Sequence, residues 1–304
     1  MKVSICIATF RRAERLSALL EDLTHLTRTP DEVVIVDNDS AGSARAVAEH
    51  WRSRTQAFPI HYAIQPERNI ALTRNVSVQM ANGDWLAFID DDERAPKEWL
   101  QQLLDAAEAY GADAVLGPVV PEVPTDAPNW IRRGNFYDFP RLPTGTEVPL
   151  NRMRFGNVIV RGEPLRAQPG PFNVAYGLTT GEDADLLIRM VHSGSRVIWS
   201  DEAIVIEPVE KGRLSLRWLL QRALSGGQEF ARKTLAGKYG PITLSGRITL
   251  FMRALVQLAI ASVAVPLTYP LGRHIAAQWL VKASANLGKL SIFWGSRYEE
   301  YAKA

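Results

Sequence analysis

A chain of 304 residues with 46% hydrophobic content can bury one large core or two modest ones. Its formal net charge of +2 excludes the charge excess of a disordered chain or a nucleic-acid binder. The one cysteine, Cys6, excludes a disulfide framework within the chain and suits a reducing compartment. It lies in the apolar run "VSICIAT", with no strong base near it in sequence, so a buried structural thiol is expected rather than a nucleophile. The N-terminal "MKVSICIATFRR" is too short in its apolar part for a signal peptide and runs into charge without a small-residue cleavage site, so the expected location of the site is cytoplasmic.

Over the first 120 residues, β-branched apolar runs alternate with helical patterns, the mark of a parallel sheet with crossover helices. "KVSICIAT" predicts a strand; Leu16, Leu19, Leu20 and Leu23 then recur at helical spacing, and "EVVIVDN" predicts a second strand. A helix over residues 43–54, a strand over "IHYAIQ", a helix over "IALTRNVSVQMA" and a fourth strand over "DWLAFIDDD" follow. Pro96 suits the first turn of the helix "KEWLQQLLDAAEAYG", which ends at Gly111, and "ADAVLGPVV" predicts a fifth strand. Internal repeats and low-complexity tracts are lacking, which leaves a doubly wound α/β domain with a mostly parallel sheet. Residues 124–153 break the pattern with five prolines and four aromatic residues, the composition of a binding loop. Trp130, Phe136 and Tyr137 there suit either stacking on sugar faces or packing of the loop.

Ligands of such sheets bind beyond the carboxyl ends of the strands. Two predicted strands end there in acids: Asp37 and Asp39 in "VIVDNDS", and Asp90 and Asp92 in "LAFIDDDE". A spacing of two puts both side chains of a pair on one side of an extended backbone. Carboxylates aimed together repel one another unless a cation lies between them, and hard divalent ions prefer oxygen ligands. A metal site is therefore expected; a solvated acidic turn at a helix start accounts for Asp92 and Glu93 but not for the second acidic strand end.

The series "ICIATFRR", "VIVDNDS", "ERNIALTRN", "GDWLAFIDDDE" and "GEDADLLIRM" resembles the family 2 inverting glycosyltransferases of GT-A fold, over roughly the first 210 residues. The continuation "EPVEKGRLSLRWLLQRALSGG" is similar to bacterial exopolysaccharide members, such as the glucosyltransferases of succinoglycan assembly. The resemblance implies a UDP-sugar donor, with UDP-glucose as the expected one, a polyprenyl-diphosphate-linked oligosaccharide acceptor, and Mg²⁺ or Mn²⁺ as cofactor. It implies a donor-nucleotide set of Thr9, Arg11, Asp37, Asn69, Arg74, Asn75, Asp90 and Asp91, with Asp37 accepting from the imide N–H of uracil and Arg74 near base and diphosphate. Asp92 would ligate the metal, with Asp90 holding the ribose or a metal-bound water, and the ion would take up charge as the nucleoside diphosphate leaves. Asp183 would be the base that inversion in one displacement requires, with Glu182 its neighbour contacting the acceptor or tuning it.

The pattern departs from the family where many relatives place a histidine ligand, because Ile206 stands there; either Glu207 substitutes as an oxygen ligand or the metal relies on Asp92, phosphates and water, and His192 reads as a surface residue. Arg213 and Arg217 are candidate diphosphate clamps, and Trp218 reads as core. A sugar nucleotidyltransferase would carry a glycine-rich phosphate loop after the first strand, and "IATFRRAERL" contains no glycine. A non-catalytic sugar-nucleotide-binding scaffold would bind UDP without turnover.

The expected organisation is a catalytic domain over 1–210, with a nucleotide-sugar half near 1–120 and an acceptor half near 121–210, followed by a helical region over 211–304. Within that region "ALVQLAIASVAVPLTYPL" is uncharged and flanked by Arg247, Arg253 and Arg273, and Pro266 and Pro270 are expected to break it before it could span a bilayer. A helix lying in the cytoplasmic leaflet is expected, followed by an amphipathic piece carrying Lys282 and Lys289; the alternatives are core helices or a homodimer interface.

Overall fold

The computed structural model describes residues 1–176 and 181–294. The chain divides into two compact units, Met1–Val120 with Phe139–Pro208, and Pro121–Asp138 with Val209–Ala304.

The first unit holds strands β1 (Val3–Thr9), β2 (Glu32–Asp37), β3 (Ile60–Ile64), β4 (Trp85–Ile89), β5 (Ala114–Leu116), β7 (Asn157–Arg161) and β8 (Val197–Trp199) in one seven-stranded sheet of order β3-β2-β1-β4-β7-β5-β8. β6 (Val119–Glu122) and β9 (Val205–Pro208) pair in a separate two-stranded ribbon. β7 runs antiparallel between β4 and β5, while the other neighbouring pairs of the large sheet are parallel. Helices α1 (Ala13–Leu23), α2 (Arg45–Arg54), α3 (Ile70–Met80) and α4 (Trp99–Tyr110) cross between the first strands. Short α6 (Gly162–Arg166) and α7 (Glu182–His192) follow β7.

Burial on both faces explains the continuous apolar strands: every residue of β2 and β4 is buried. In α1 the predicted stripe Leu16, Leu19, Leu20 and Leu23 is wholly inaccessible, and each leucine stabilises by roughly 1.5–3 kcal/mol relative to exposure. Gly111 ends α4 in the left-handed region, at φ 57°. The run predicted as a fifth strand is two strands, β5 and β6, because the chain turns at Gly117–Pro118; a Cβ at Gly117 would stand 2.1 Å from the Ala203 carbonyl. Cys6 is free and buried, and burial raises its thiol pKa far above the ordinary value.

The second unit holds α5 (Asn129–Arg132), α8 (Leu216–Leu235), α9 (Leu244–Thr268) and α10 (Arg273–Ser291). Ala127, Ile131 and Leu219 form a small core against which Trp130, Phe136, Tyr137 and Trp218 pack. Packing thus holds Trp130, Phe136 and Tyr137 of the 124–153 loop, while Phe139 is 53% exposed. α10 meets α8 through two glycines, since a Cβ at Gly227 would stand 2.0 Å from the Ala285 carbonyl and one at Gly288 2.1 Å from that of Leu224. α9 continues through Pro266 to Thr268, contrary to the expected break: the proline removes one i→i−4 bond without ending the helix. With the turn that follows, Leu244–Leu271 is long and apolar enough to cross a membrane.

Candidate active site

The strand order brings the carboxyl ends of β2, β1 and β4 side by side, with Thr9 in register with Asp37. Thr9 is buried, and its hydroxyl donates to Asp91 Oδ2 at 2.7 Å. Asp37 is turned inward: it is wholly inaccessible, and its oxygens accept from the amides of Asp39 and Ala44 at 2.9 and 2.8 Å and from the Tyr62 hydroxyl at 3.0 Å. With these bonds it braces the loop after β2. Arg11 adopts φ 55°, rare for a side chain other than glycine, and its Nε donates to Asp39 Oδ2 at 3.2 Å while 64% of the side chain stays exposed. Hydrogen bonding from that guanidinium holds the Asp39 carboxyl below its usual range.

The four acids that end β4 divide by environment. Arg12 reaches Asp91 and Asp92, each at 3.0 Å, and Arg15 lies 3.7 Å from Asp92. Burial raises the Asp91 pKa, with Arg12 opposing it. Glu93 accepts from the Asp90 amide at 3.0 Å; it is 2% exposed, and burial together with Asp90 pushes its carboxyl well above the ordinary range. Gly156 fits against this pair, since a Cβ there would stand 3.1 Å from Glu93 Oε1. Asp90 is the open one, its side chain 48% exposed. Desolvation, opposed by Arg74 and assisted by Asp92, Asp91 and Glu207, raises its pKa to about 6, and the water that reaches it screens part of that effect. An antiparallel bridge between Arg94 and Ile206, with N–H···O distances of 2.7 and 3.0 Å, brings Glu207 to this strand end.

The expected metal set of Asp92, Asp90 and Glu207 divides by environment. Among the described residues no three His, Cys, Asp or Glu side chains converge on a cation position, and Asp92 is given to Arg12 and Arg15. What fits a hard divalent ion is narrower: the half-exposed Asp90, in a field of excess negative charge to which Glu207 contributes. Mg²⁺ and Mn²⁺ sites of one or two carboxylates are completed by phosphate oxygens and water.

On the other side stands the start of α7. Of the three acids in its first turn, Glu182 is 4% exposed and paired with Arg74, and Asp185 is 2% exposed and bonded by Arg189 at 3.0 Å. Asp183 is the partly accessible one. Its Oδ2 accepts from the Phe155 amide at 3.0 Å and its Oδ1 from the Ala184 amide at 2.7 Å, so two main-chain donors fix the carboxylate. Asn69, Arg74 and Asn75, expected at the nucleotide, bond here to Val174, Glu182 and Phe172 respectively. Asn69 donates to the Val174 carbonyl at 3.1 Å, and Asn75 exchanges two bonds with the Phe172 backbone at 2.9 and 2.8 Å.

Sequence reasoning missed Arg12, Arg15 and Arg154. The first two sit beside the acids only because β1 lies next to β4. Arg154 stacks on Phe139 at 4.2 Å, and burial lowers its pKa against the opposing field of Glu93, Glu207 and Asp183. Arg213 and Arg217 lie in the helical unit: Arg213 covers Trp218 at 5.8 Å and Arg217 is exposed on α8. His192 is exposed.

Comparison with known proteins matches residues 4–167 to the model of Glycosyl transferase family 2. The chain is 35% identical, over 76% of its length and 75% of the relative's, to the succinoglycan biosynthesis protein ExoM of Rhizobium meliloti. It is 36% identical to an uncharacterised glycosyltransferase of Haemophilus influenzae over 64% and 63% of the two chains. Among solved structures, the mannosyltransferase PcManGT from Pyrobaculum calidifontis, in complex with GDP-Man and Mn²⁺, superposes with TM-score 0.69 at 17% identity, covering 97% of this chain and 88% of that one. Staphylococcus aureus TarS 1–349 in complex with UDP-GlcNAc gives TM-score 0.54 at 17% identity, over 98% and 93%. The sheet topology and these neighbours are those of the GT-A fold, and the chain belongs to glycosyl transferase family 2.

Proposed function

We propose that this glycosyltransferase moves a sugar, glucose in our reading, from a UDP-sugar to a polyprenyl-diphosphate-linked oligosaccharide, with inversion, during bacterial exopolysaccharide assembly. The observation that carries the reading is the pair of partly accessible carboxylates at one end of the sheet, Asp90 after β4 and Asp183 at the start of α7 against the residues that lead into β7, each set apart from buried, paired neighbours. The likeness to a succinoglycan biosynthesis protein supports a role in exopolysaccharide assembly.

Asp183 takes the proton of the acceptor hydroxyl as that oxygen attacks the anomeric carbon; its two main-chain donors hold the carboxylate aimed. Asp90, assisted by Glu207, would hold Mg²⁺ or Mn²⁺, and the ion when bound supplies charge stabilisation to the departing diphosphate. Thr9 and Asp91 act as the floor of the donor pocket, Arg11 and Asp39 as its exposed rim, and Arg213 and Arg217 as clamps for the diphosphate. The catalytic role falls to 1–210, and 211–304 attaches the enzyme to the cytoplasmic face of the cytoplasmic membrane.

Thermal unfolding against a panel of nucleotide sugars, with and without Mn²⁺, followed by transfer assays, tests the reading. UDP-glucose should give the largest Mn²⁺-dependent shift and an inverted product. Stabilisation by a different nucleotide overturns the donor, and binding without turnover on any acceptor favours the scaffold alternative.

A further inference from the structure

Arg74 joins the two carboxylate centres. One of its terminal nitrogens donates to Glu182 Oε1 at 2.5 Å and the other lies 3.4 Å from Asp90 Oδ1, while its guanidinium lies 5.2 Å from the Phe155 ring centre and 5.9 Å from that of Phe172. The side chain is 10% exposed and that of Glu182 5%. A buried guanidinium must keep its partners, because removing one member of such a pair leaves an uncompensated buried charge. The planar fork, bonded at two corners and covered by aromatic rings, admits only arginine; a lysine ammonium is a point charge that cannot bridge both acids. Asn75, the next residue of α3, grips Phe172 by both its N–H and its C=O, so ring and guanidinium are held by one helix.

We propose that Arg74 is a positioning residue that ties Asp90, on the donor side, to the first turn of α7, so that Glu182 is committed to structure and Asp183 is the carboxylate left to face the acceptor. The assignment rests on the reading of Asp183 as the base. It moves Arg74 from nucleotide recognition to alignment of the two half-sites.

The test uses the full chain in detergent with UDP-glucose and an acceptor analogue, and the variants Arg74→Met, Arg74→Lys, Glu182→Gln and the double Arg74→Met/Glu182→Gln. Each single variant should lower kcat for transfer by about thirtyfold while the UDP dissociation constant stays within about threefold, since the interaction serves alignment and not donor affinity. The double variant should be no more than about threefold worse than either single, the non-additivity of residues acting as one unit. Arg74→Lys should leave at most about one-tenth of native kcat. UDP binding weakened by tenfold or more with kcat unchanged, multiplicative losses, or full rescue by lysine would each overturn the assignment. Should Arg74→Met not fold, Arg74→Lys and Glu182→Gln decide by the same split. Should the native enzyme bind UDP and transfer nothing, the proposed function fails, and this assignment is then judged by urea unfolding: losses of stability that add overturn it, and losses that fail to add sustain it.

Discussion

The two units bury opposite things. In the sheet unit, polar side chains are drawn inside and given partners: Asp37, Asn75, Asp91 and Glu182 are all at most 5% exposed and all hydrogen-bonded. In the helical unit, apolar side chains are left outside: along α9, Leu255, Val256, Ile260 and Val263 are 43–61% exposed. Residues 209–294 hold twelve Lys and Arg against two Asp and Glu, while the whole chain nets only +2, so the remainder is acidic. The first unit uses burial to fix carboxylates among hydrogen-bond donors. The second offers apolar surface and cations together, the combination that gains from an anionic lipid surface.

The comparison breaks most visibly at Asp183. Asp183→Asn should slow transfer at least about a hundredfold and leave UDP affinity within about threefold, as steady-state kinetics and calorimetry will read, because asparagine keeps an acceptor for one main-chain donor and loses the base. If the inward polar groups served stability alone, the variant would lose unfolding free energy and keep its turnover.

Two acids of one strand end sharpen the same contrast. Asp90→Asn should abolish the Mn²⁺-dependent part of UDP affinity, whereas Asp92→Asn should cost about 1–3 kcal/mol of stability by weakening the hold on Arg12 and Arg15. UDP titrations with and without Mn²⁺, alongside urea unfolding, separate the two; the reverse pattern returns the metal to Asp92.

On the outward face, Ile260→Asp with Val263→Asp should lower binding to anionic vesicles about tenfold or more without lowering Tm, because both side chains are already outside the core. Unchanged vesicle binding, with a dimer that the variant dissociates in sedimentation, would make α9 an oligomer interface.

Within the helical unit, Gly227→Ala should destabilise by about 1–3 kcal/mol, since its Cβ meets the Ala285 carbonyl, while Gly226→Ala, whose Cβ meets open space, should be stabilising by up to about 1 kcal/mol. Denaturant midpoints for the pair test how tightly α10 seats on α8.

The smallest effect lies at the far end of the sheet. Burial would raise the Glu32 pKa, but hydrogen bonds from the Asn82 amide, Ser4 and the Asn82 side chain, with the charge of His61, outweigh it and the net shift is downward. A depressed folded pKa contributes stability that is present above the unfolded value of about 4.3 and is lost as pH falls through the folded one. Glu32→Gln should therefore cost about 1–2 kcal/mol at pH 7 and progressively less as pH falls below 4, seen in urea titrations across pH.

Much of the sheet unit was legible in the sequence because parallel strands covered on both faces spell themselves as unbroken apolar runs. The acids that follow β4 were legible as a strand end, and those of "GEDADLLIRM" as a helix start. β7 was not: "NVIVR" pairs with residues some seventy positions earlier, and no local pattern announces an antiparallel strand inserted between two parallel ones. The true partners of Asp91 and Asp92 were hidden for the same reason, since Arg12 meets them only through strand order. The inward turn of Asp37 depends on Tyr62, which belongs to another strand. Pro266 misled because a proline costs a helix one bond, and an apolar segment of this length tolerates that loss.

The insertion of β7 also sets an order of events during synthesis. β3, β2, β1 and β4 are complete once residue 89 has been made, and they pair with one another in a compact four-stranded block. β5 follows at once but has no neighbour among them; it pairs with β7 and β8, and β7 is finished only at residue 161. At a ribosomal rate of roughly 5–20 residues per second, the edge of β4 and the whole of β5 wait several seconds for their partner. An open, apolar strand edge is a template for pairing with another chain. The nascent enzyme thus passes through a window of aggregation risk that closes when Asn157–Arg161 slots between its neighbours, and slower growth at low temperature with chaperone supply should raise soluble yield more than any change to the finished molecule.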